Sequence, residues 1–542
     1  MFQHWILPAL AALPLVACSG GGNAPAPNSI QVGTAPAADQ SMTRTLDSMP
    51  RSLDPSLLTD VAAQDVVDDL FEGLTRIGPN DDTVPGVATS WEVSADGKTW
   101  TFHLRPQARW SNGDPVTAAD FVYAWRRQVD PRTGAEYAQA LAPIVNGAAI
   151  AAGQAPVDSL GATAINDHTL RVTLVSPTPY LLAVLADSYF QPLPRATIER
   201  YGDSWSRPEH MVSNGPYNLS ELIVGDRITL TKNPLYWDAA AVRVTRVTYY
   251  PLDNDAQVSR YTAGDVQITT RFLAAQYHWL KSQFGDQVIS SPYLGIQMLA
   301  FNMVQPPFGN NRNLRLAMTM ALDRKILGEK LAQGLLLPAY SLIPKLPGYT
   351  QQLPEWASWS DEKRHAEARR LYAAAGYSAA HPLRVQLDYP SGSDPDWFAA
   401  LAAMWRMNLG AEVEPYNEEF RVLLQDLRLH KSNLFWNGWI GDFPDPFTFA
   451  QLAQKDFAQN FGLFNDPGYE ALLKAAGNEP DNARRYRYFE QSERILNREA
   501  TYVPMVFYAS EHLIKPFVRG FVPNLQDRNP TRYLYLLEHQ GR

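Results

Sequence analysis

The sequence holds a single cysteine in 542 residues, which excludes an internal disulfide, a Cys-x-x-Cys redox pair and a cysteine-rich zinc site. Its ten histidines show no ligand spacing, so no metal site is expected. There is no excess of positive charge: 47 Lys and Arg stand against 56 Asp and Glu, a formal net charge of −9, which argues against a general nucleic-acid binder. The Gly-x-Ser-x-Gly, His-Glu-x-x-His, Gly-x-x-x-x-Gly-Lys-Ser/Thr and Gly-x-Gly-x-x-Gly patterns are missing, and with them the common nucleophile, zinc and phosphate-loop signatures. Glu418 and Glu419 are adjacent and would diverge on an extended segment, so they make no obvious catalytic pair. Neither an enzyme nor a cofactor is expected.

What is present suits a folded, multidomain chain. Hydrophobic residues make up 45% and aromatics 11%, ample for packed cores, and the length corresponds to about three to four domains. The 41 Pro and 33 Gly are spread without a period, implying many turns. Met1 to Ala17 is an apolar run too short to cross a bilayer and reads as a signal-peptide core. No second long apolar segment follows. Leu15-Val16-Ala17-Cys18 resembles the lipobox of bacterial lipoproteins, in which the cysteine takes a diacylglycerol and becomes the new N-terminus; the absence of Lys and Arg before it departs from that pattern. Residues 18–42 are rich in Gly, Ala, Pro, Asn and Ser and are expected to be a flexible tether reaching about 25 Å. The protein is thus expected to be membrane-anchored rather than membrane-spanning.

From Thr43 onward the patterning becomes globular. Apolar residues at Val61, Val66, Val67, Leu70 and Phe71 predict an amphipathic helix ending at Gly73. The alternating Trp100 to Arg105 segment, after Asp96-Gly97, predicts a β-hairpin. Thr117-Ala118-Ala119-Asp120 starts a second helix, and strands are predicted at Thr169–Leu174, Arg227–Thr231 and Val242–Tyr250. Helices follow at Asn313–Ala332, Asp361–Ala375 and Asp396–Leu409, with strands at Arg384–Tyr389 and Glu412–Glu414. Alternation of strands with helices gives an α/β class with mixed sheets.

Ser52-Leu53-Asp54-Pro55, Leu70-Phe71-Glu72-Gly73-Leu74, Pro85-Gly86-Val87-Ala88, Trp110-Ser111-Asn112-Gly113-Asp114, Ser213-Asn214-Gly215-Pro216-Tyr217, Asn233-Pro234-Leu235-Tyr236-Trp237 and Leu322-Asp323-Arg324 occur in one order. Together these resemble the oligopeptide- and dipeptide-binding family of ABC-importer solute receptors, from about Thr43 to Tyr535. The resemblance implies a two-lobed periplasmic-binding-protein-like fold of type II with a third, inserted α/β domain. Residues 43–72, 193–291 and 510–542 would form a discontinuous first lobe, 73–192 the inserted domain, and 292–509 the other ligand lobe. Asp114, Trp110 and Trp125 are expected to be core or turn residues.

The same resemblance supplies the candidate site. Asn437 to Pro446 matches the segment lining the ligand cleft, where an Asp at the position of Asp442 accepts a peptide's α-ammonium. An ammonium buried without such a carboxylate would be costly. Gly438, Trp439 and Ile440 resemble the strand that pairs with an extended peptide, and Val61 aligns with the facing contact on the first lobe. Trp439, Phe420 and Tyr137 fall where the family has aromatic pocket walls, although Phe420 fits helix core equally well. Asp445, beside Pro446, reads as a turn residue. At the carboxylate end the pattern departs: Trp436 stands where oligopeptide members often have Arg. Arg271 could supply a positive charge there, or form a surface ion pair.

The resemblance therefore implies a monomeric receptor that captures peptides with a free N-terminus and hands them to an ABC permease, anchored to the membrane through Cys18. The alternative is a receptor of the same fold for a dipeptide, a murein peptide, or a nickel or other metal chelate.

Overall fold

The computed structural model describes residues 30–80 and 82–540; Cys18 lies outside them. Three sheets carry the architecture. In the first, Ser41–Leu46, Arg246–Pro251, Arg227–Lys232 and Tyr217–Ile223 lie side by side, the first pair parallel and the rest antiparallel. In the second, Ala88–Val93, Thr99–Leu104, Thr169–Thr173 and Ala162–Asn166 form an antiparallel sheet. Its predicted hairpin turns at Gly97, whose φ of 69° suits glycine. Alternate residues of Thr99–Leu104 are buried, as the period-two pattern requires. The helix Ala118–Val129 packs beside it, started by reciprocal bonding of Thr117 and Asp120.

The third sheet is mixed, in the order Leu337–Pro338, Tyr502–Leu513, Val288–Phe301, Leu434–Ile440, Arg384–Pro390 and Glu412–Glu418. Helices and loops cover both its faces, giving two separate apolar clusters. One centres on Leu387, Leu401 and Trp405, the other on Ile296, Phe435, Phe449 and Tyr469. The long strands Val288–Phe301 and Tyr502–Leu513 run from the first lobe into this sheet. Their ladder is regular from Val288 to Pro292, breaks, and resumes at Ile296.

A single apolar cluster joins Val66, Leu70 and Phe71 to Phe102, Trp110, Phe121 and Trp125, so the segment expected as an inserted domain shares its core with the first lobe. Many motif residues are spent on this junction. Asp54 takes a two-pronged ion pair from Arg127 (2.9 and 2.7 Å) and a bond from Trp205 Nε1. Glu72 accepts from Arg532 (2.6 Å), Trp237 Nε1 (2.6 Å) and the Tyr236 hydroxyl. Trp110 and Trp125 are buried, as expected, while Asp114 accepts from Asn112 in its turn.

Two expectations need correction. The tether does not extend to residue 42: Gln31–Pro36 is a strand antiparallel to Tyr535–Gln540, and Ser41–Leu46 enters the first sheet. Gln31–Pro36 buries almost nothing and is held by main-chain pairing, which leaves no hydrophobic period in the sequence. The helix expected over Asn313–Ala332 stops at Met320 and resumes as a wider-wound turn, Ile326–Leu331. Between them Arg324 turns inward and donates to the carbonyls of Ala339 (2.8 Å), Pro504 (2.7 Å) and Thr319 (3.1 Å). The bonds made by Nε and Nη1 of this buried guanidinium offset the helical ones given up there.

Candidate ligand cleft

A cavity of about 550 Å³ opens where the three regions meet. The first lobe contributes Thr59 to Asp65 at the start of the helix Val61–Leu70, the 73–192 segment contributes Tyr137, Asp187 and Tyr189, and the third sheet contributes residues around 436–442 and 508–512. Asp60 caps the helix by accepting from Ala63 N at 2.8 Å, which fixes Val61 at the helix start, half-exposed and lining the cavity.

Asp442 follows the strand Leu434–Ile440. Gly441 N donates to Leu294 O at 2.7 Å and anchors the chain just before it. Thr448 Oγ1 accepts from Trp439 Nε1 (3.1 Å) and from Asp442 N (3.3 Å), and is 3.5 Å from Asp442 Oδ2. One hydroxyl thus positions both the aromatic wall and the acid. Burial, and then the charge of Asp187, pushes the Asp442 carboxyl up to about 6. No cation of the described residues forms an ion pair with it, so the arrangement is complementary to a cation brought in from outside.

The strand leading to Asp442 is only partly paired. It faces Val288–Phe301 along its whole length, from Phe301↔Leu434 to Gly295↔Ile440, but Arg384–Pro390 pairs with it only at Leu434 and Phe435. Asn437 to Ile440 therefore have an open edge on one side, the feature that lets an extended chain add as a further strand. A side chain at Gly438 would crowd that edge: a Cβ would lie 2.9 Å from Trp436 Cζ2 and 3.2 Å from Tyr508 Oη, so the Trp436 ring would have to shift.

Seven of the eight ligand-contact residues expected from the sequence line this cavity: Asp442, Trp439, Gly438, Ile440, Val61, Tyr137 and Arg271. Phe420 does not. It opens the helix Phe420–Arg428 with its side chain half-exposed, while Leu423 and Leu427 supply that helix's buried face. Tyr137 stacks on Tyr189 with centroids 4.7 Å apart. Arg271 is both an ion-pair partner, 2.9 Å from Asp47, and a lining residue. Trp436 also lines the cavity. Asp445 is a turn residue, accepting from Phe447 N, and in addition the partner of buried Arg485 at 2.6 Å on both oxygens. Sequence reasoning missed Asp65, Asp187, Tyr189, Tyr293, Tyr508 and Glu511, which line the cavity from four separate stretches of chain and share no local pattern.

Two lobes joined by a pair of long strands, enclosing a cavity with a desolvated acid at the end of an open strand edge, define a binding protein that takes a small solute between its lobes. The chain belongs to the bacterial extracellular solute-binding proteins, family 5, whose middle-region model matches residues 82–461. It is 35% identical over 539 residues to the periplasmic oligopeptide-binding protein OppA of Escherichia coli K12, covering 98% of each chain. Its fold matches the unliganded open form of the periplasmic murein tripeptide-binding protein MppA with a TM-score of 0.83 and 34% identity, over 94% of this chain and 99% of that one. It also matches Haemophilus influenzae OppA in complex with the peptide RPPGFSPFR, with a TM-score of 0.77 and 31% identity over 93% and 100% of the two chains. Among the described residues no helix is long and apolar enough to cross a membrane, and no group of three or more His, Cys, Asp or Glu side chains is placed to hold a metal ion.

Proposed function

We propose that this protein is an extracytoplasmic receptor, not an enzyme, that captures peptides between its lobes and delivers them to an ABC importer, tethered to the membrane by a lipid on Cys18. The observation that carries the reading is Asp442: a desolvated carboxylate with no internal cation, placed at the end of the open edge Asn437–Ile440. A peptide's α-ammonium neutralises the acid while its backbone pairs with the edge, and neither contact depends on the side chains of the peptide. Trp439, Tyr137 and Tyr189 wall the side-chain space, and Val61 touches the ligand from the first lobe. The peptide-binding relatives support this choice of ligand over the metal chelates that the same fold can host. Lobes 43–72 with 193–291 and 510–542, and 292–509, would close about the ladder break at Pro292–Ile296.

Isothermal titration of the purified protein with short peptides, free or N-acetylated, tests the reading. Free peptides are expected to bind, and both acetylation and Asp442→Asn to weaken binding by about 2–5 kcal/mol, the scale of breaking a desolvated charge pair. Equal affinity for free and acetylated peptides would remove Asp442 from the site. Native mass spectrometry of the protein as purified would show which peptides it retains.

A further inference from the structure

Charge is unevenly balanced in this cavity. Seven carboxylates line it against three guanidiniums and His512, and most have an internal assignment. Asp60 caps its helix, Asp47 pairs with Arg271 (2.9 Å), Asp187 with Arg528 (3.1 Å), and Asp527 with His512 Nε2 (2.7 Å). Once Asp442 is set aside for an ammonium, Asp65 and Glu511 remain. Neither takes a hydrogen bond or an ion pair among the described residues.

These two acids belong to a different end of the cavity from Asp442. Gly441 is bonded to Leu294, and Glu511 lies opposite Ser290 on the other flank of the same central strand. With about 3.3 Å per residue and 4.8 Å per strand, the separation is on the order of 15 Å. The electrostatic neighbours agree: Asp442 feels Asp187, whereas Asp65 and Glu511 both feel Asp527. Burial pushes the carboxyls of Asp65 and Glu511 each up to about 7, in spite of Arg44 and Arg528 facing the first and Arg271 and His512 facing the second. The internal cations thus leave both acids undercompensated. Two further groups suit a cation here. Thr59 Oγ1, which lines the same cavity, is buried without a hydrogen-bond partner. Tyr293, also in the lining, lies close enough to Asp65 and Asp527 to feel both charges, adding an aromatic ring to the carboxylates.

We propose that Asp65 and Glu511, with Thr59 and Tyr293, form a second cation-accepting subsite, and that the preferred peptides carry a lysine or arginine side chain besides their N-terminal ammonium. The proposal rests on the peptide-receptor reading and specifies its substrate class. The separation from Asp442 is within reach of a long basic side chain on one of the first few residues of an extended peptide. The net negative charge of the whole chain adds long-range attraction for such ligands.

The test compares tetra-alanine peptides carrying lysine at position 2, 3 or 4 with the same peptides carrying norleucine, which keeps the stem and drops the charge. By titration calorimetry, lysine at one position is expected to bind the unmodified protein about tenfold or more tightly than norleucine there. Glu511→Gln and Asp65→Asn are each expected to reduce that ratio several-fold and to leave the norleucine peptides nearly unchanged. Both substitutions keep shape and remove an undercompensated charge, so thermal stability should not fall. The unmodified protein gives the lysine-to-norleucine ratio without any variant. A ratio near one at every position, or a ratio that survives in both variants, overturns the second subsite while leaving the peptide receptor intact. If tetra-alanine and all its derivatives fail to bind, the peptide reading itself falls, and this subsite with it.

Discussion

At the scale of single residues, the cleft is a set of acids held short of compensation. Asp442 is raised to about 6 and Asp65 and Glu511 to about 7 by burial first of all. His512 is raised as well: desolvation lowers it, but the charge and hydrogen bond of Asp527, the Thr269 carbonyl and the charge of Glu511 together outweigh that. All four bind protons more tightly folded than unfolded. Their stabilising contribution is complete below the unfolded pKa values and is lost as pH rises through the folded ones. The ligand-free protein is therefore expected to melt at a higher temperature at pH 5.5 than at pH 8, as scanning calorimetry would show. On the proposed reading a peptide's ammonium needs Asp442 ionised, so the rise in melting temperature on adding peptide should shrink as the pH falls from 8 to 5.5. A ligand-induced shift that is constant from pH 8 to 5 would dissociate binding from these acids.

At the scale of elements, the open edge proposed to take the peptide belongs to a strand, Leu434–Ile440, that loses one neighbour after its first two residues. Its pairing with Arg384–Pro390 ends at Phe435, and the chain beyond it is steadied by side chains. Asp445 and Arg485 form a buried two-pronged ion pair at 2.6 Å, fastening the loop after Asp442 to the helix Asn482–Glu499. Removing the cation alone leaves Asp445 buried and unpaired, so Arg485→Met should destabilise the protein by about 3–5 kcal/mol in denaturant unfolding. An unchanged transition would show that water replaces the arginine without penalty. Gly438→Ala acts on the edge itself: its Cβ would meet the Trp436 ring at 2.9 Å. Peptide affinity should fall severalfold with little change in melting temperature, because Trp436 lines the cavity and is only partly buried in the core.

At the scale of the whole molecule, one apolar cluster spans the helix Val61–Leu70 and the 73–192 segment, and two others flank the third sheet. Beside Asp442 the 73–192 segment meets the chain that follows the strand Leu434–Ile440 through aromatic rings. Tyr180 stacks on Phe443 at 4.7 Å and 8°, and on Phe447 at 5.4 Å, with the Arg485 guanidinium 5.0 Å from its ring. Such contacts contribute about 0.5–1.5 kcal/mol each beyond area burial. Tyr180→Ala should therefore weaken peptide binding about three- to tenfold and enlarge the radius of gyration of the peptide-bound protein in solution scattering. If both quantities match those of the unaltered protein, the contact plays no part in closure.

What the sequence determined by itself was whatever is written in local order. The hairpin at Gly97, the helices at Val61 and Ala118 and the α/β alternation follow from period and capping, and the ordered motifs led to the cleft segment around Asp442. What only the tertiary structure decided is what depends on distant stretches meeting. Asp65, Asp187 and Glu511 come from three different regions of chain, so no spacing rule marks them as neighbours of one cavity. Phe420 matched an aromatic pattern yet sits outside the lining because its helix turns Leu423 and Leu427 inward instead. Gln31–Pro36 became a strand because the C-terminal strand offered a free edge, a partner more than 500 residues away in sequence. Periodicity reports which face of an element is apolar, whereas desolvation and charge balance exist only once the lobes are brought together, and it is there that the proposed specificity lies.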